Sequence, residues 1–332
     1  MAEIAGSVVL VTGGAGTVGS HIVDALIEEN PRKIIVVDNF SEGTRDNLRT
    51  ALSQDTIPIE VVTSDIRDKE DLDIIFQGVD FVFHQASVLL LESRAKPQKA
   101  IDVNIQGTFN VFQACVKNKV KKIVWASSAS VFGDPIRLPV DEDHPFNNVT
   151  FYGATKVAAE QIATSFNHQY GLHQIGLRYY NIYGPRQGIK GAYAQILPKW
   201  FDRIERRKPL VIFSDGSQSM DLIFVKDAAR ANVLALRSSV TNDFFNVGTG
   251  VETTVKQLAQ IVLDVTDYPE APIYEPHDIN LVRRRQCSTE KAQRLIGFRS
   301  HVEVRDGVRQ YWQWRKARAS EPIGLGIPTS AT

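Results

Sequence analysis

The sequence predicts an α/β protein built on a doubly wound parallel sheet, and two observations carry that prediction. Short β-branched runs alternate with amphipathic helical stretches through the first 130 residues. Those runs are apolar throughout rather than alternating, as strands covered by helices on both faces must be.

Taken in order, residues 7–12 read as a strand, 17–29 as a helix and 33–38 as a second strand. Residues 59–64 and 81–85 give two more strands, 101–117 a helix and 122–126 a fifth strand. A helix opens at 152, and 174–180 forms another strand. Beyond about residue 175 the pattern loosens. Helices are expected over 193–207, 226–237 and 254–266, and short strands over 209–213 and 222–225. The chain therefore divides into a sheet domain over 1–175, joined by returning segments near 222–250, and a smaller α+β lobe over 176–318. Residues 319–332 lack periodicity and are expected to be disordered.

The bulk numbers exclude several classes. A chain of 332 residues can bury a substantial core. Its 38 basic and 38 acidic residues cancel, so no overall field draws it to nucleic acid or an anionic membrane. Two cysteines make no disulfide framework and suit a reducing compartment. Cys115 lies in a helical apolar run and reads as an inert buried thiol. The N-terminus has neither the basic nor the apolar region of a secretory leader, and no window approaches the ~18 apolar residues of a membrane span. A soluble, cytoplasmic protein is expected.

Gly13-Gly14-Ala15-Gly16-Thr17-Val18-Gly19 lies directly between the first strand and the first helix. Gly13, Gly16 and Gly19 permit a tight turn, a backbone approach to a pyrophosphate and close helix–strand packing. The helix start then offers unpaired N–H groups and a partial positive charge. Asp38 closes the second strand, where a carboxylate accepts bonds from adenosine ribose hydroxyls and repels a 2′-phosphate. The cofactor expected is therefore NAD, not NADP, on a Rossmann-type sheet. Asp65 and Ile66 follow the third strand and are candidates for the adenine amino group and ring face. An aspartate there also suits a simple turn.

Tyr152 and Lys156 are four apart at the start of a helix, which puts them on one face. A free tyrosine titrates near ~10 and is a poor base at neutral pH. A neighbouring cation favours its phenolate and makes it a usable acid/base. Ser128 follows the fifth strand, at the carboxyl edge where ligands bind in such sheets, and can share a substrate alkoxide with Tyr152.

The segments TGGAGTVGSH, VVDNFSEG, HQAS, SSASVFG, YGATK and LRYYNIYGPR together resemble the extended short-chain dehydrogenase/reductases, and within them the NAD-dependent sugar-nucleotide epimerases and dehydratases. The likeness runs over about residues 7–312. It implies tightly held NAD, a Ser128–Tyr152–Lys156 triad and a homodimer through helices near 101–118 and 152–170. It also implies a cofactor site drawn from Gly13, Gly16, Thr17, Val18, Gly19, Asp38, Asn39, Ser41, Gly43, Asp65 and Ile66. Gln85, Ala86 and Ser87 would line the nicotinamide side, with Asn104, Ser127 and Tyr180 close by. Asn181 would meet the substrate diphosphate, and Ser87, Ser128 and Tyr193 the sugar.

Dehydratases of that family carry acidic residues directly after the catalytic hydroxyl, and its decarboxylases tend to carry one there. Here Ala129 and Ser130 follow Ser128. C4 epimerisation of a UDP-hexose or UDP-uronic acid is the reaction expected, with dehydrogenation of a sugar, sugar acid or polyol without a nucleotide as the alternative. No metal is needed, and the histidines show no ligand spacing. His21, beside the glycine loop, reads as structural. Relatives carry an arginine in the stretch matching 217–221, where this chain has Met220, which donates nothing. A second arginine is expected near His277 and Asp278. Arg283, in the Arg283-Arg284-Arg285 run, and Arg186 are the candidate replacement cations. A solvated surface run is the other reading of the triple arginine.

Overall fold

The computed structural model describes residues 2–188, 196–276 and 283–319. Six parallel strands follow the predicted runs closely: β1 (Val8–Thr12), β2 (Lys33–Asp38), β3 (Ile59–Thr63), β4 (Phe81–His84), β5 (Lys122–Ser128) and β6 (Gln174–Tyr179). A short β7 (Asn181–Tyr183) leaves this sheet. β8 (Val211–Phe213), β9 (Ser219–Phe224), β10 (Asn242–Val247), β11 (Glu252–Thr254) and β12 (Ile273–Glu275) complete the set. The large sheet has the order β10-β6-β5-β4-β1-β2-β3. All its pairings are parallel, so the chain switches direction across the sheet between β1 and β4. A crevice opens outside the carboxyl ends of such neighbouring strands, and ligands bind there.

Two cores cover the faces of the sheet. On one, Ile22, Val23 and Leu26 of the Thr17–Glu28 helix pack with Ala228, Val233 and Leu236 of the Val225–Arg237 helix. On the other, Val111, Phe112 and Cys115 meet Ala159, Ala163 and Phe166 of the Phe151–Tyr170 helix. Cys115 is a free, fully buried thiol whose pKa burial pushes up.

The predicted 101–117 helix is wound in two ways. Residues Ile101–Gly107 form a π-helical stretch, and Thr108–Lys117 continues as α-helix. Wide turns of this kind often accompany functional sites, and Asn104 lies within this one.

The remaining elements form a separate core. β7, β9 and β11 make a three-stranded sheet, and β8 pairs with β12. Trp200, Phe201, Leu222, Phe224, Leu258 and Tyr311 are buried together there. The helix expected over 193–207 is seen as Ile196–Glu205, its predicted start lying outside the described residues. β10, whose exposed polar start hides its strand character from the sequence, adds the seventh strand beside β6. A helix at Val304–Ala319 closes the described chain, and the tail beyond it lies outside the described residues.

Candidate active site

β1 and β4 end side by side, with Thr12 paired to His84. Thr12 Oγ1 lies 2.7 Å from His84 Nδ1, and Thr108 Oγ1 lies 3.0 Å from His84 Nε2. Burial lowers the pKa of His84 to about 3, so this ring is a neutral pin between strand and helix. Just beyond it, Gly13 has φ +64°, and a Cβ there would stand 2.6 Å from the Ala86 nitrogen. A Cβ at Gly19 would collide with the Gly13 carbonyl. The two loops of the crevice therefore touch through glycine alone.

Gly16 caps the Thr17–Glu28 helix without any side-chain hydrogen bond. The first-turn N–H groups of Thr17, Val18 and Gly19 consequently have no intrahelical acceptor. Asp38 accepts from Ala15 N at 2.9 Å and Phe40 N at 2.8 Å, bracing the loop from behind. Burial raises its pKa, and each oxygen keeps acceptor capacity for a further donor. Gly43 packs against the same loop, since a Cβ would come within 2.7 Å of the Ala15 carbonyl carbon. This is a cradle of backbone donors fitted to a dinucleotide pyrophosphate, with a carboxylate at the ribose position.

Asp65 and Ile66 also have partners within the protein. Asp65 takes both Nε and Nη2 of Arg67 at 2.9 Å and Asn39 Nδ2 at 2.8 Å. The Arg67 guanidinium holds its pKa down to about 2. Ile66 is buried beneath Gly107 rather than offered to a ring. Asn39 Oδ1 also accepts from Ser41 N at 3.0 Å, so the 39–41 turn is fixed by the same set.

The loop after β4 is held by side chains from three elements. Tyr179 OH donates to Gln85 Oε1 at 3.1 Å, and Gln85 Nε2 donates to Asn232 Oδ1 at 3.1 Å. Asn232 Nδ2 closes the ring onto Tyr179 OH at 2.7 Å. Asn104 Oδ1 accepts from Val88 N at 2.7 Å and from Ser87 Oγ at 3.2 Å, while its Nδ2 reaches Thr155 Oγ1 at 3.1 Å. Asn104 thus joins the Ser87 loop to the Phe151–Tyr170 helix. Tyr179, Asn232 and Thr155 escaped the sequence reading, because their partners are up to 147 residues away.

Thr150 caps that helix, accepting from Gly153 N at 3.0 Å. Tyr152 sits in the first turn, where the helix dipole favours a phenolate. A Cβ on Gly153 would strike Ser130 O and Asn148, so glycine lets the helix start dock beside Ser128. Ser128 and Ser87 are the hydroxyls that act on Tyr152. Burial raises the Tyr152 pKa, and the two serines and the Arg285 charge pull against it. Lys156 Nζ donates to Ala126 O at 2.8 Å and lies 5.6 Å from the Tyr152 ring centre. Burial lowers its pKa to about 8, opposed by the negative charge of Glu160.

Ser127 lies away from the crevice: its hydroxyl donates to Glu160 Oε1 at 2.6 Å. Glu160 in turn forks onto Arg178 Nε and Nη2 at 2.9 and 2.8 Å, both side chains buried. The Arg178 guanidinium lies 4.9 Å from the Phe132 ring centre. Tyr180 packs behind residues 129–132 with Cys287, and its buried hydroxyl has no hydrogen-bond partner among the described residues.

Asn181 Nδ2 donates to Asp221 O at 3.1 Å. The buried Asp221 carboxylate accepts from Thr249 N and Oγ1 at 2.7 Å, Gly250 N at 2.9 Å and Cys287 Sγ at 3.2 Å. Met220, paired with Thr253, packs on the lobe core. Arg186 is turned from the crevice to Asp24, at 2.6 Å. Beside it, His21 bonds Thr17 O and is lowered to about 3 by burial, a structural residue. Arg283 is exposed, and Arg284 forks onto Glu252 at 2.8 and 2.6 Å. Arg285, the third of the run, is half-buried. Tyr193, His277 and Asp278 lie outside the described residues.

The sequence profile of the NAD dependent epimerase/dehydratase family matches residues 9–248. The UDP-glucose 4-epimerase of Mycolicibacterium smegmatis is 31% identical over 302 residues, covering 90% of this chain and 95% of its own. Among solved structures, a UDP-N-acetylglucosamine 4-epimerase of Methanobrevibacter ruminantium, in complex with UDP-N-acetylmuramic acid, superposes with TM-score 0.89 at 32% identity. It covers 95% of this chain and 99% of that one. The UDP-glucose 4-epimerase of Thermotoga maritima with UDP-glucose gives 0.88 at 32% identity, over 94% and 100% of the two chains. The chain belongs to the NAD-dependent epimerase/dehydratase family.

Proposed function

We propose that this family member inverts C4 of a nucleotide sugar, a UDP-hexose or UDP-uronic acid, through a transient 4-keto sugar. The observation that carries the reading is the Lys156 ammonium 5.6 Å from the Tyr152 ring centre, with Ser128 and Ser87 drawing the Tyr152 pKa down against its burial. The N–H groups at 17–19 would take the cofactor diphosphate, Asp38 its ribose, and the Gln85–Ser87 loop its nicotinamide side. Bound NAD supplies the acceptor and donor of hydride at C4.

Tyr152 takes the proton of the C4 hydroxyl as the carbon is oxidised and returns it when the opposite face is reduced. Ser128 holds the same oxygen throughout, which fixes the reacting atom relative to Tyr152. Lys156 stays fixed on Ala126 O and stabilises the phenolate. Ala129 and Ser130, both buried, offer no carboxylate for eliminating water, so proton traffic is confined to one carbinol.

The test is interconversion of UDP-glucose and UDP-galactose, and of UDP-glucuronate and UDP-galacturonate, by the NAD-loaded protein. Tyr152→Phe should lower the rate by about 10²–10⁴-fold, the scale of general acid–base catalysis, while retaining NAD. Stoichiometric build-up of reduced nicotinamide without epimer would establish a dehydrogenase instead, the reading that Met220 keeps open.

A homodimer through the two helices on one flank fits the exposure of Phe109, Phe151 and Tyr170, at 37%, 56% and 61%. Sedimentation at micromolar concentration checks it. Two free buried cysteines suit a cytoplasmic protein.

A further inference from the structure

The first turn of the Thr17–Glu28 helix must hold its N–H groups in place, yet it starts without a side-chain cap. Gly16 supplies none, and a helix end without one frays more readily. Asp38 braces the loop before the helix, through Ala15 N. The helix itself is held from the other side, by a loop 169 residues further along the chain.

Thr17, His21 and Asp24 are spaced i, i+4 and i+7, which sets them on one helical face. Arg186 lies against that face and holds it at two levels. Its carbonyl accepts from Thr17 Oγ1 at 3.1 Å, and its Nη2 meets Asp24 Oδ2 at 2.6 Å. Between them, His21 Nδ1 lies 2.8 Å from Thr17 O. The Thr17 hydroxyl therefore donates to Arg186, and its N–H is left for the cofactor.

This grip is strained and dry. Arg186 adopts φ +64°, the left-handed region that disfavours a residue with a side chain. Its side chain is only 11% exposed, and Arg186 Nη1 and Asp24 Oδ1 are buried without hydrogen-bond partners among the described residues. Burial raises the Asp24 pKa, and the Arg186 charge opposes the rise. Such strain persists only where the surroundings over-determine it, and here they do. Gly184 packs so closely on Val225 that a Cβ would stand 2.6 Å from Cγ1, and Gln187 Nε2 donates to Ile182 O at 3.3 Å.

We propose that Arg186 is a positioning residue for NAD retention: through Thr17 and Asp24 it clamps the first turn whose N–H groups meet the cofactor diphosphate, without touching the cofactor. This rests on the diphosphate lying at residues 17–19, and not on which sugar is turned over. The experiment follows release of NAD from the loaded protein by exchange against isotopically labelled NAD. It compares the wild type with Arg186→Gly, Arg186→Lys, Thr17→Val and, as a control, Arg237→Gln. Glycine accepts φ +64° freely, so Arg186→Gly removes the ion pair and keeps the backbone path. Release should quicken by about 2- to 30-fold in that variant, the scale on which residues outside a site change its affinity. Arg186→Lys keeps a charge for Asp24 and should release NAD more slowly than Arg186→Gly. Thr17→Val keeps the N–H and loses only the hydroxyl bond. It should quicken release to a smaller degree, and it decides the question if Arg186→Gly does not fold. Arg237 pairs at 3.3 Å with Glu29, just past the far end of the same helix, and Arg237→Gln should release NAD as the wild type does.

A lowered unfolding midpoint with unchanged NAD release would make the Arg186–Asp24 pair purely structural and overturn the proposal. Equally fast release from Arg237→Gln would overturn it too, since any loosening of the helix would then suffice. Normal NAD content in Gly13→Ala would overturn the cradle on which the clamp rests.

Discussion

The two rims of the crevice are built on opposite plans. On the cofactor rim the buried polar side chains of His84, Gln85 and Asn104 are engaged within the protein. His84 has both nitrogens matched, Gln85 is locked to Tyr179 and Asn232, and Asn104 binds two loops at once. What that rim offers outward is backbone, bared by glycine. On the other rim the buried hydroxyl of Tyr180 has no hydrogen-bond partner among the described residues. The first plan suits a ligand of fixed chemistry held for many turnovers, since a site organised beforehand loses little freedom on binding. The second leaves a buried polar atom unmatched.

The difference should show most strongly at Gly13. Alanine there must accept φ +64° and bring its Cβ into the Ala86 backbone, with no flexible side chain to give way. Purified Gly13→Ala is expected to carry no NAD and to show no epimerisation; a normal cofactor content would refute the cradle.

Next in size is the buried support behind the triad. Arg178→Ala leaves the Glu160 carboxylate buried without its partner, which should cost about 3–5 kcal/mol of stability. Denaturant unfolding reads this directly. A loss below about 1 kcal/mol would mean that the pair behaves like a surface one.

The smallest effect is a pH profile. Lys156 gives up its proton at about 8 in the folded protein, well below the ordinary lysine value. Support for the Tyr152 phenolate therefore fades above about 8, and kcat should fall along a limb centred there. Stability moves the other way. Between that pH and about 10.4 the unfolded chain still binds a proton that the native state has released, so this group adds stability as pH rises. Activity and stability falling together through this window would contradict the assignment.

The glycine loop, Asp38 and the Tyr152–Lys156 pair were legible in the sequence because each acts through local geometry: a turn, a strand end, one helical face. Strands of the large sheet were legible for the same reason, their apolar runs being continuous. Position alone does not tell which neighbour a side chain takes where it has two to choose between. Asp65 prefers the adjacent Arg67, Arg186 prefers Asp24, and Ser127 turns to Glu160, a fork already fixed by Arg178. β10 and the Gln85–Tyr179–Asn232 ring depend on pairings across long stretches of chain, for which spacing carries no sign.

The sequence by itself determined the parallel sheet, the glycine turn after its first strand and the shared helical face of Tyr152 and Lys156, since local periodicity and backbone sterics dictate them. It also marked a cation run at 283–285 without saying which member mattered. Only the folded chain decided that. Glu252 neutralises one arginine, solvent takes another, and the third lies half-buried on the strip tied to Val140 and Asp221, because charge is disposed of by neighbours in space and not by neighbours in sequence.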